Sequence, residues 1–373
     1  MITRIGSEDE YNSIKSSTEL SDYEAVILSR NQILIPGLVD CHTHAPQFPN
    51  IGLGLDRPLL EWLDKYTFPL ERKYMDVNFA KSIYEQVVVS MNIENDAGYY
   101  NDTAKELLEV EEFIQKVLKH KNDLVAPVIT PRFAVSCNET LMRGLSEIAN
   151  RYGCRTQSHI SENLKEIEHV LNINPGCKSY SEVYDRSYIL NNKCIMAHAV
   201  YLSDDEIALL AKKGVSVAHC PSSNTRLRSG LCPVRKLLDN GLTVGLGTDV
   251  SGGDSANILD AMRRAMDVST HLELIGDAKR ALSWREVFYL ATLGGAKALQ
   301  LDDKIGSFEV GKEFDALVVD VYASGGQVDH HPYSMEENEE EHLFGLLQRF
   351  VYVGDDRNIT QVYIKGRSVK RSC

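Results

Sequence analysis

Residues that can bind a metal, carry protons or hold a substrate recur at the ends of short apolar runs in this chain. They are His42, His44, Arg132, His159, Glu162, His198, His219 and Asp249. Taken singly, each has an ordinary structural explanation, since a lone histidine such as His198 is more often a core residue and Asp249 could cap a helix. Their shared position after successive apolar runs is improbable for unrelated core residues. It predicts that they meet in one site.

The apolar runs that end at or near these residues are typical of β-strands. They cover residues 33–40, 126–133, 154–160, 194–199, 215–220 and 243–249. Amphipathic stretches lie between them, and Gly153, Gly214 and Gly241 follow such stretches where a helix C-cap belongs. Alternating strands and helices predict a parallel sheet of βα units, and the length covered favours a (β/α) barrel. In such a barrel the carboxyl ends of the strands form the active-site face.

Composition limits the classes of protein that this chain can belong to. Its 373 residues include 53 acidic and 40 basic side chains, a net charge of −13, which argues against a nucleic-acid partner. The eight cysteines form no C-x-x-C pair, and we expect reduced thiols in the cytoplasm. No signal peptide and no apolar run of about 18 residues is visible, so no membrane partner is expected.

Six strings carry a resemblance to a known family. PGLVDCHTHA, SHISEN, MAHAVYLSDDE, AHCPSSN, GLGTDVSGG and ATLGGAKAL resemble the metal-dependent amidohydrolase superfamily, in its mononuclear deaminase and chlorohydrolase branch. RPLLEWLDKYTFPLE, TPRFAVSCNETLM, QSHISEN and FEVGKEFDA narrow the resemblance to members that act on guanine. The similarity runs from about residue 35 to residue 369. It implies hydrolytic removal of the C2 amino group of guanine, giving xanthine and ammonia.

The resemblance also implies a metal site. It assigns the ligands to His42, His44, His159 and Asp249, three nitrogens and a carboxylate that suit catalytic zinc, and iron could occupy the same set. Binuclear relatives need a carboxylated lysine at the end of the fourth strand, where this chain has Arg132. One metal per chain, most simply zinc, is therefore expected.

Roles in the reaction follow from the same resemblance. Glu162 is expected to move protons to the purine ring and the leaving amine, Asp249 to take the proton of the attacking water, and His198 to orient that water. The residues expected to face guanine are His44, Gln47, Arg132, Phe133, His159, Glu162 and Asp249. Among these, Arg132 and Gln47 would bind polar edges and Phe133 would stack on the ring. His219 is expected to lie behind the metal ligands, and Cys220 to serve packing.

The chain departs from the family after residues 81–90. About forty residues that the family has there are missing, which is about one βα unit of a barrel. The expected fold is therefore α/β: a (β/α)8-type barrel lacking about one βα unit, with a small, partial flanking β-sandwich. The expected divisions are a truncated N-terminal part of the flanking subdomain at 1–32, the barrel at 33–308, and C-terminal flanking strands with an acidic insertion at 309–373. We expect a homodimer, since a second subunit could cover the open edge of the barrel.

Two alternative functions stay open from the sequence. The chain could act on another amino- or chloro-azine, although the string TPRF and Gln47 argue against this. It could instead be a catalytically impaired scaffold because of the missing segment, although the four ligands and Glu162 are all present.

Overall fold

The computed structural model describes residues 1–17, 26–84, 95–96, 99–100, 102–329 and 338–371. The chain divides into two compact units. One unit combines residues 1–39 with 301–373, and the other consists of residues 40–300. The larger unit carries every residue that the sequence predicts for the site.

A five-stranded parallel sheet forms the centre of the larger unit. Its strands, in spatial order, are β4 (Val128–Ile129), β5 (Arg155–Ile160), β6 (Cys194–His198), β7 (Ser216–His219) and β8 (Thr243–Leu246). Every residue of β6 and β7 is buried. A parallel sheet is normally covered on both faces, which agrees with the complete burial of these two strands. The predicted parallel βα arrangement is confirmed for these five strands.

The parallel register places the candidate residues at one edge of the sheet. Ile160 pairs with His198, and His219 pairs with Leu246, two residues before the loop that carries Thr248 and Asp249. Carboxyl ends of parallel strands lie side by side, so residues that follow them in sequence meet in space.

Fifteen α-helices are assigned in the described residues, and several begin and end where the sequence predicts. They are α1 (Glu8–Ser17), α2 (Leu59–Trp62), α3 (Phe68–Glu71), α4 (Val77–Tyr84), α5 (Thr103–Lys119), α6 (Glu139–Tyr152), α7 (Leu164–Ile173), α8 (Tyr180–Arg186), α9 (Asp204–Lys213), α10 (Pro221–Arg226), α11 (Val234–Asp239), α12 (Ile258–Leu274), α13 (Trp284–Leu290), α14 (Leu293–Ala298) and α15 (Glu339–Val353). Gly153 and Gly214 close α6 and α9 with φ of 68° and 71°, as predicted for helix C-caps. No helix among the described residues is long and apolar enough to cross a bilayer.

The smaller unit contains a four-stranded antiparallel sheet. Its order is β1 (Gln32–Pro36), β9 (Ala316–Asp320), β10 (Ile359–Ile364) and β11 (Arg367–Arg371). The strands β9, β10 and β11 lie within 309–373, where the sequence predicts C-terminal strands. The acidic cluster at 334–342 continues into α15, which starts with three glutamates; residues 334–337 lie outside the described part.

One strand assignment from the sequence is wrong. The run 33–40 was expected to be the first strand of the barrel, but Gln32–Pro36 pairs antiparallel with Ala316–Asp320. Proline lacks the N–H that would continue a ladder, and the strand ends at Pro36. A short apolar run does not reveal which sheet it will join, because strand pairing depends on distant parts of the chain.

The segment that follows β1 still delivers two histidines to the parallel sheet. Cys41 N–H donates to Leu246 O at 2.8 Å, and Asp249 N–H donates to His42 O at 2.8 Å. Residues 41–44 therefore run beside the end of β8. The deletion that the sequence predicts after Ser90 falls in residues 85–94, which lie outside the described part of the chain. Next along the chain, β2 (Asn95–Asp96) pairs antiparallel with β3 (Tyr99–Tyr100).

Candidate active site

Four buried side chains converge as a candidate metal centre. One ligand atom from each of His42, His44, His159 and Asp249 lies within 4.8 Å of all the others. Asp249 Oδ1 is 2.8 Å from His44 Nε2 and 3.3 Å from His42 Nε2. Although burial alone would raise the pKa of Asp249, hydrogen bonds with His42 and His44 hold that pKa well below its usual range. Asp249 is thus an anionic candidate ligand.

The donor set fits a metal. His159 Nε2 and His44 Nε2 face each other at 3.2 Å, while His159 Nδ1 is 2.5 Å from the Arg132 carbonyl oxygen. A carbonyl can only accept, so Nδ1 of His159 carries the proton and its Nε2 presents a lone pair to the centre. A ligating histidine commonly donates its other ring N–H in this way. Three imidazoles and one carboxylate around one point suit a divalent cation such as zinc.

Asp40 holds the two chain segments that carry the ligands. Its carboxylate accepts from the main-chain N–H of His42 at 3.1 Å and of Thr248 at 3.0 Å, and the Thr248 hydroxyl also donates to it. These bonds join the segment that leads into His42 to Thr248, the residue before Asp249. Asp249 itself has φ of 49°, a conformation that non-glycine residues adopt rarely and mostly at functional positions.

Glu162 is buried next to this centre with a raised pKa. Burial, with the negative charge of Asp249, raises the pKa of Glu162 to about 8, so the carboxyl group is mostly protonated at neutral pH. Its Oε1 accepts from the Ser229 hydroxyl at 2.9 Å, and its Oε2 lies 3.4 Å from His198 Nε2. The arrangement is that of a proton donor beside a second titratable group.

His198 stands between Glu162 and Asp249. Its Nε2 is 3.9 Å from Asp249 Oδ2, and its Nδ1 is 2.8 Å from Asn224 Oδ1. Burial lowers the pKa of His198, which keeps the ring neutral. With φ of 74°, its backbone leaves the strand conformation at the last residue of β6 and turns the ring toward the centre.

The polar side chains expected to bind the substrate share a partner that the sequence did not reveal. Glu71 forms an ion pair with Arg132 and accepts from Gln47 Nε2 at 3.0 Å. Gln47 Oε1 also accepts from Ser251 N–H at 3.3 Å. Arg132 lies over the Phe68 ring, 5.2 Å from its centroid. Both polar groups are therefore fixed before any ligand arrives.

A cavity joins the proton-transfer groups to these polar side chains. Its lining contains His44, Gln47, Arg132, Phe133, His159, Glu162, His198 and Asp249, together with Leu59, Trp62, Leu63 and Leu227. The first eight are those that the sequence predicts for catalysis or substrate; His42, predicted only as a ligand, lies outside the lining. The last four pack with Phe133 in one apolar cluster. These four residues form an apolar wall that the sequence analysis did not predict. Leu59, Trp62 and Leu63, like Phe133, nevertheless lie in two of the strings that carry the family resemblance.

Two residues of the string AHCPSSN lie away from the cavity. His219 is fully buried, and burial lowers its pKa to about 3, so the ring is neutral. Cys220 is also fully buried and its Sγ lies 3.6 Å from Ala218 O. Neither lines the cavity.

A buried tyrosine connects the metal side of the site to the substrate side. The Tyr184 hydroxyl donates to His159 O at 2.6 Å and accepts from Ala134 N–H at 3.1 Å. Its ring stacks on Tyr180, whose hydroxyl donates to Glu166 at 2.6 Å. Glu166 in turn accepts from Glu162 N–H at 3.0 Å. No sequence signal identified Tyr180 or Tyr184.

The chain is similar to known proteins of one family. The amidohydrolase family profile matches residues 76–369. The chain is similar to the guanine deaminase of Pongo abelii, 41% identical over 385 positions with 92% of this chain and 84% of that protein covered. It is 32% identical to the guanine deaminase of Escherichia coli K12, with 97% and 87% covered. A solved guanine deaminase from C. acetobutylicum with bound guanine superposes with a TM-score of 0.81 at 34% identity, covering 90% of this chain and 87% of that one.

Proposed function

This chain belongs to the amidohydrolase family and, within it, to the guanine deaminases, and from that premise we propose that its site hydrolyses guanine to xanthine and ammonia. The observation that carries the proposal is the cavity that holds Glu162, His198 and three of the four candidate ligands, His44, His159 and Asp249, on one side and Arg132 and Gln47 on the other. In the reaction, water adds to C2, the C2–amine bond breaks, and ammonia leaves.

Arg132, Gln47 and Phe133 would bind and orient the purine. A guanidinium donates two parallel hydrogen bonds, which suits the O6 and N7 acceptors of guanine. Because Glu71 already pairs with Arg132 and Gln47, little side-chain freedom would be lost on binding. Phe133 would stack on the ring, and the apolar wall would exclude water from its other side.

Glu162 would be the proton carrier. Its protonated carboxyl group can donate to ring N3 as water adds to C2. The carboxylate then formed can take a proton from the hydroxyl group that the water has placed on C2 and pass it to the leaving amine. His198 lies 3.4 Å from Glu162 and 3.9 Å from Asp249, so it would orient the attacking water between them. Asp249 would accept the proton that the water loses.

We assign the metal site to His42, His44, His159 and Asp249, with one zinc per chain. When bound there, such a cation supplies Lewis acidity that makes water nucleophilic near neutral pH. Iron could use the same ligands, because imidazole and carboxylate groups do not discriminate sharply between the two metals. A chlorine- or amine-bearing triazine is the alternative substrate; the triazine hydrolases that superpose on this chain are 18% identical and show only the shared fold.

We propose that the larger unit is an amidohydrolase barrel that lacks about one βα unit after Ser90. In support, the alignment with the Pongo abelii guanine deaminase spans 385 positions, but it includes only 92% of the 373 residues of this chain, about 343. About 42 aligned positions of that protein therefore have no counterpart in this chain. Residues 1–32 and 309–373 would form a partial flanking β subdomain. The alternative that this deletion favours is a catalytically impaired scaffold protein.

We also propose a cytoplasmic homodimer. β4 is the last strand on one side of the described parallel sheet, and the exposed side chains of Leu118, Leu124 and Val125 precede it. A second copy could cover this edge. The seven described cysteines are thiols, which suits a reducing compartment. Sedimentation of the purified chain should give twice its 41.8 kDa mass.

A substrate panel tests the proposed function. Purified, metal-loaded protein is incubated with guanine, adenine or an aminotriazine, and the products are identified by chromatography. We expect xanthine from guanine and little turnover of adenine, whose C6 amino group would face the Arg132 guanidinium and leave both donors unpaired. Turnover of the triazine alone would assign the chain to the alternative substrate class, and bound metal without any product would indicate the scaffold.

A further inference from the structure

The string AHCPSSN ends in a residue that the proposed reaction does not yet use. Asn224 is almost completely buried and belongs to the short helix α10. Its side-chain Oδ1 lies 2.8 Å from Nδ1 of His198. With Nδ1 held there, the opposite ring nitrogen of His198 faces the Glu162 carboxyl group at 3.4 Å.

The main chain of Asn224 reaches the same carboxyl group by a second route. Its carbonyl oxygen accepts from Ser229 N–H at 2.8 Å and from Gly230 N–H at 3.2 Å. The Ser229 hydroxyl then donates to Glu162 Oε1 at 2.9 Å. The side chain of Asn224 thus holds the ring that faces Oε2 of Glu162, and its main chain holds the serine that contacts Oε1.

Gly230 makes this loop possible. A Cβ at position 230 would lie 2.4 Å from the Tyr201 hydroxyl oxygen and 2.9 Å from a methyl carbon of Val200, and the residue has φ of 150°. A larger residue would push the loop away from α10 and lengthen the bond from Gly230 to the Asn224 carbonyl. The close approach is consistent with a loop built to hold Ser229 in place.

We propose that Asn224 is the positioning residue of the proton-transfer pair: its amide orients His198, and its carbonyl places Ser229 against Glu162. The inference rests on the proposed function, since it concerns the proton steps of that reaction. Asn224 does not line the cavity, so it acts through His198 and Ser229 rather than on the substrate. Its loss should therefore lower kcat more than it changes KM.

Substitution of each contact separates the two routes. Asn224→Leu removes the bond to His198, and we expect kcat to fall about 10- to 100-fold, as is usual for groups that orient active-site histidines. Asn224→Asp keeps an acceptor for Nδ1–H and should retain most of kcat. Ser229→Ala should lower kcat about 10-fold. The double variant Asn224→Leu/Ser229→Ala should lower kcat by less than the product of the two single effects, because both substitutions act on the pair of Glu162 and His198.

Matched variants show whether the effect is only structural. Asn174→Leu removes a half-buried amide that donates to Val170 O, and Ser187→Ala removes a buried hydroxyl that donates to Val183 O. Both should keep kcat. Metal content and melting temperature should be similar in Asn224→Leu and Asn224→Asp. Equal loss of kcat in both Asn224 variants, or an unchanged kcat in Asn224→Leu, would overturn the proposal.

A readout without substrate keeps this inference separate from the proposed function. In protein labelled with ¹⁵N-histidine, the Nδ1–H resonance of His198, identified by its absence in His198→Gln, should be protected from exchange with water. It should broaden or vanish in Asn224→Leu and persist in Asn224→Asp. Failure of the wild-type chain to act on guanine would refute the proposed function, whereas a His198 resonance unaffected by Asn224→Leu would refute the role of Asn224.

Discussion

At the scale of single residues, the geometry of the site depends on side chains that fix the positions of other side chains. Glu71 contacts both Arg132 and Gln47, and the Arg132 carbonyl in turn contacts the metal-ligand candidate His159. A change on the substrate side is therefore transmitted to the metal side through one residue. Such contacts keep the reacting geometry fixed before substrate binds, which is the main source of catalytic efficiency in polar sites.

Removal of one ligand tests the metal assignment. His42→Ala should abolish tight metal binding, because three remaining ligands hold a cation far less strongly and the carboxylate of Asp249 loses a neighbour at 3.3 Å. Elemental analysis of the purified variant measures this directly. His169→Ala, a histidine on α7 outside the cluster, is the control and should bind metal normally. Full occupancy in His42→Ala would show that the ligand set is different.

Substitution of the proton carrier tests its role. Glu162→Gln keeps the size of the side chain and its contacts with Ser229 and His198, but it cannot release a proton. Turnover of guanine should fall by about 10²–10⁴-fold while metal content stays the same. Glu168→Gln, in the adjacent helix α7, is a suitable control. If steady-state rates of Glu162→Gln stayed near normal, the proton path would have to run through another group.

At the scale of elements, the parallel sheet brings together residues that are far apart in the sequence, and the hydrogen bonds of Tyr184 hold two of the strand ends in position. Its hydroxyl joins the end of β5 to the segment after β4, so one oxygen contacts the backbone beside Phe133 and that of His159. Because Arg132 and Phe133 precede this contact directly, the position of the purine should depend on it.

Tyr184→Phe isolates that hydroxyl and leaves the stacking on Tyr180 intact. Buried Ala134 N–H and His159 O would lose their partner, which should destabilise the fold by about 1–3 kcal/mol. We also expect a higher KM for guanine, because the segment that carries Phe133 would be less fixed. Chemical denaturation and steady-state kinetics measure the two effects. Tyr152→Phe, which removes a hydroxyl bonded to Glu111, should leave KM unchanged; an unchanged KM in Tyr184→Phe would contradict this role.

Strand ends and helix caps could be predicted from local sequence, whereas partners across the sheet could not. His159, His198 and Asp249 follow apolar runs, so their shared edge was predictable from parallel packing. The cap at Gly214 was predictable because only glycine adopts that conformation without strain. Ser229 lies 67 positions from Glu162, and the pairing of residues 32–36 with 316–320 spans most of the chain. Neither contact leaves a local pattern, and so both were missed.

At the scale of the whole molecule, the proposed loss of a βα unit affects stability rather than chemistry. All residues assigned to metal binding or proton transfer lie in the described larger unit, outside the shortened region. An absent inner strand leaves several buried backbone groups without partners, at about 1–3 kcal/mol each. Against a domain stability of about 5–15 kcal/mol, this is a large fraction.

Restoration of the unit tests this argument. About forty residues of a relative are inserted between Ser90 and Met91, and the two proteins are compared by thermal melting and guanine turnover. We expect the restored chain to melt several degrees higher and to be more active per mole of protein. An insertion of equal length in a flexible glycine-serine sequence is the control. Equal melting temperatures and equal turnover would mean that the natural chain already satisfies these backbone groups.

The central claim is that this chain removes the amino group of guanine with one metal bound at His42, His44, His159 and Asp249. The most direct measurement is a titration of metal-free protein with zinc while xanthine formation is followed by ultraviolet absorbance. The rate should rise in proportion to added zinc and stop rising at one equivalent per chain. Zinc binding at one equivalent with no xanthine formed at any ratio would contradict the claim.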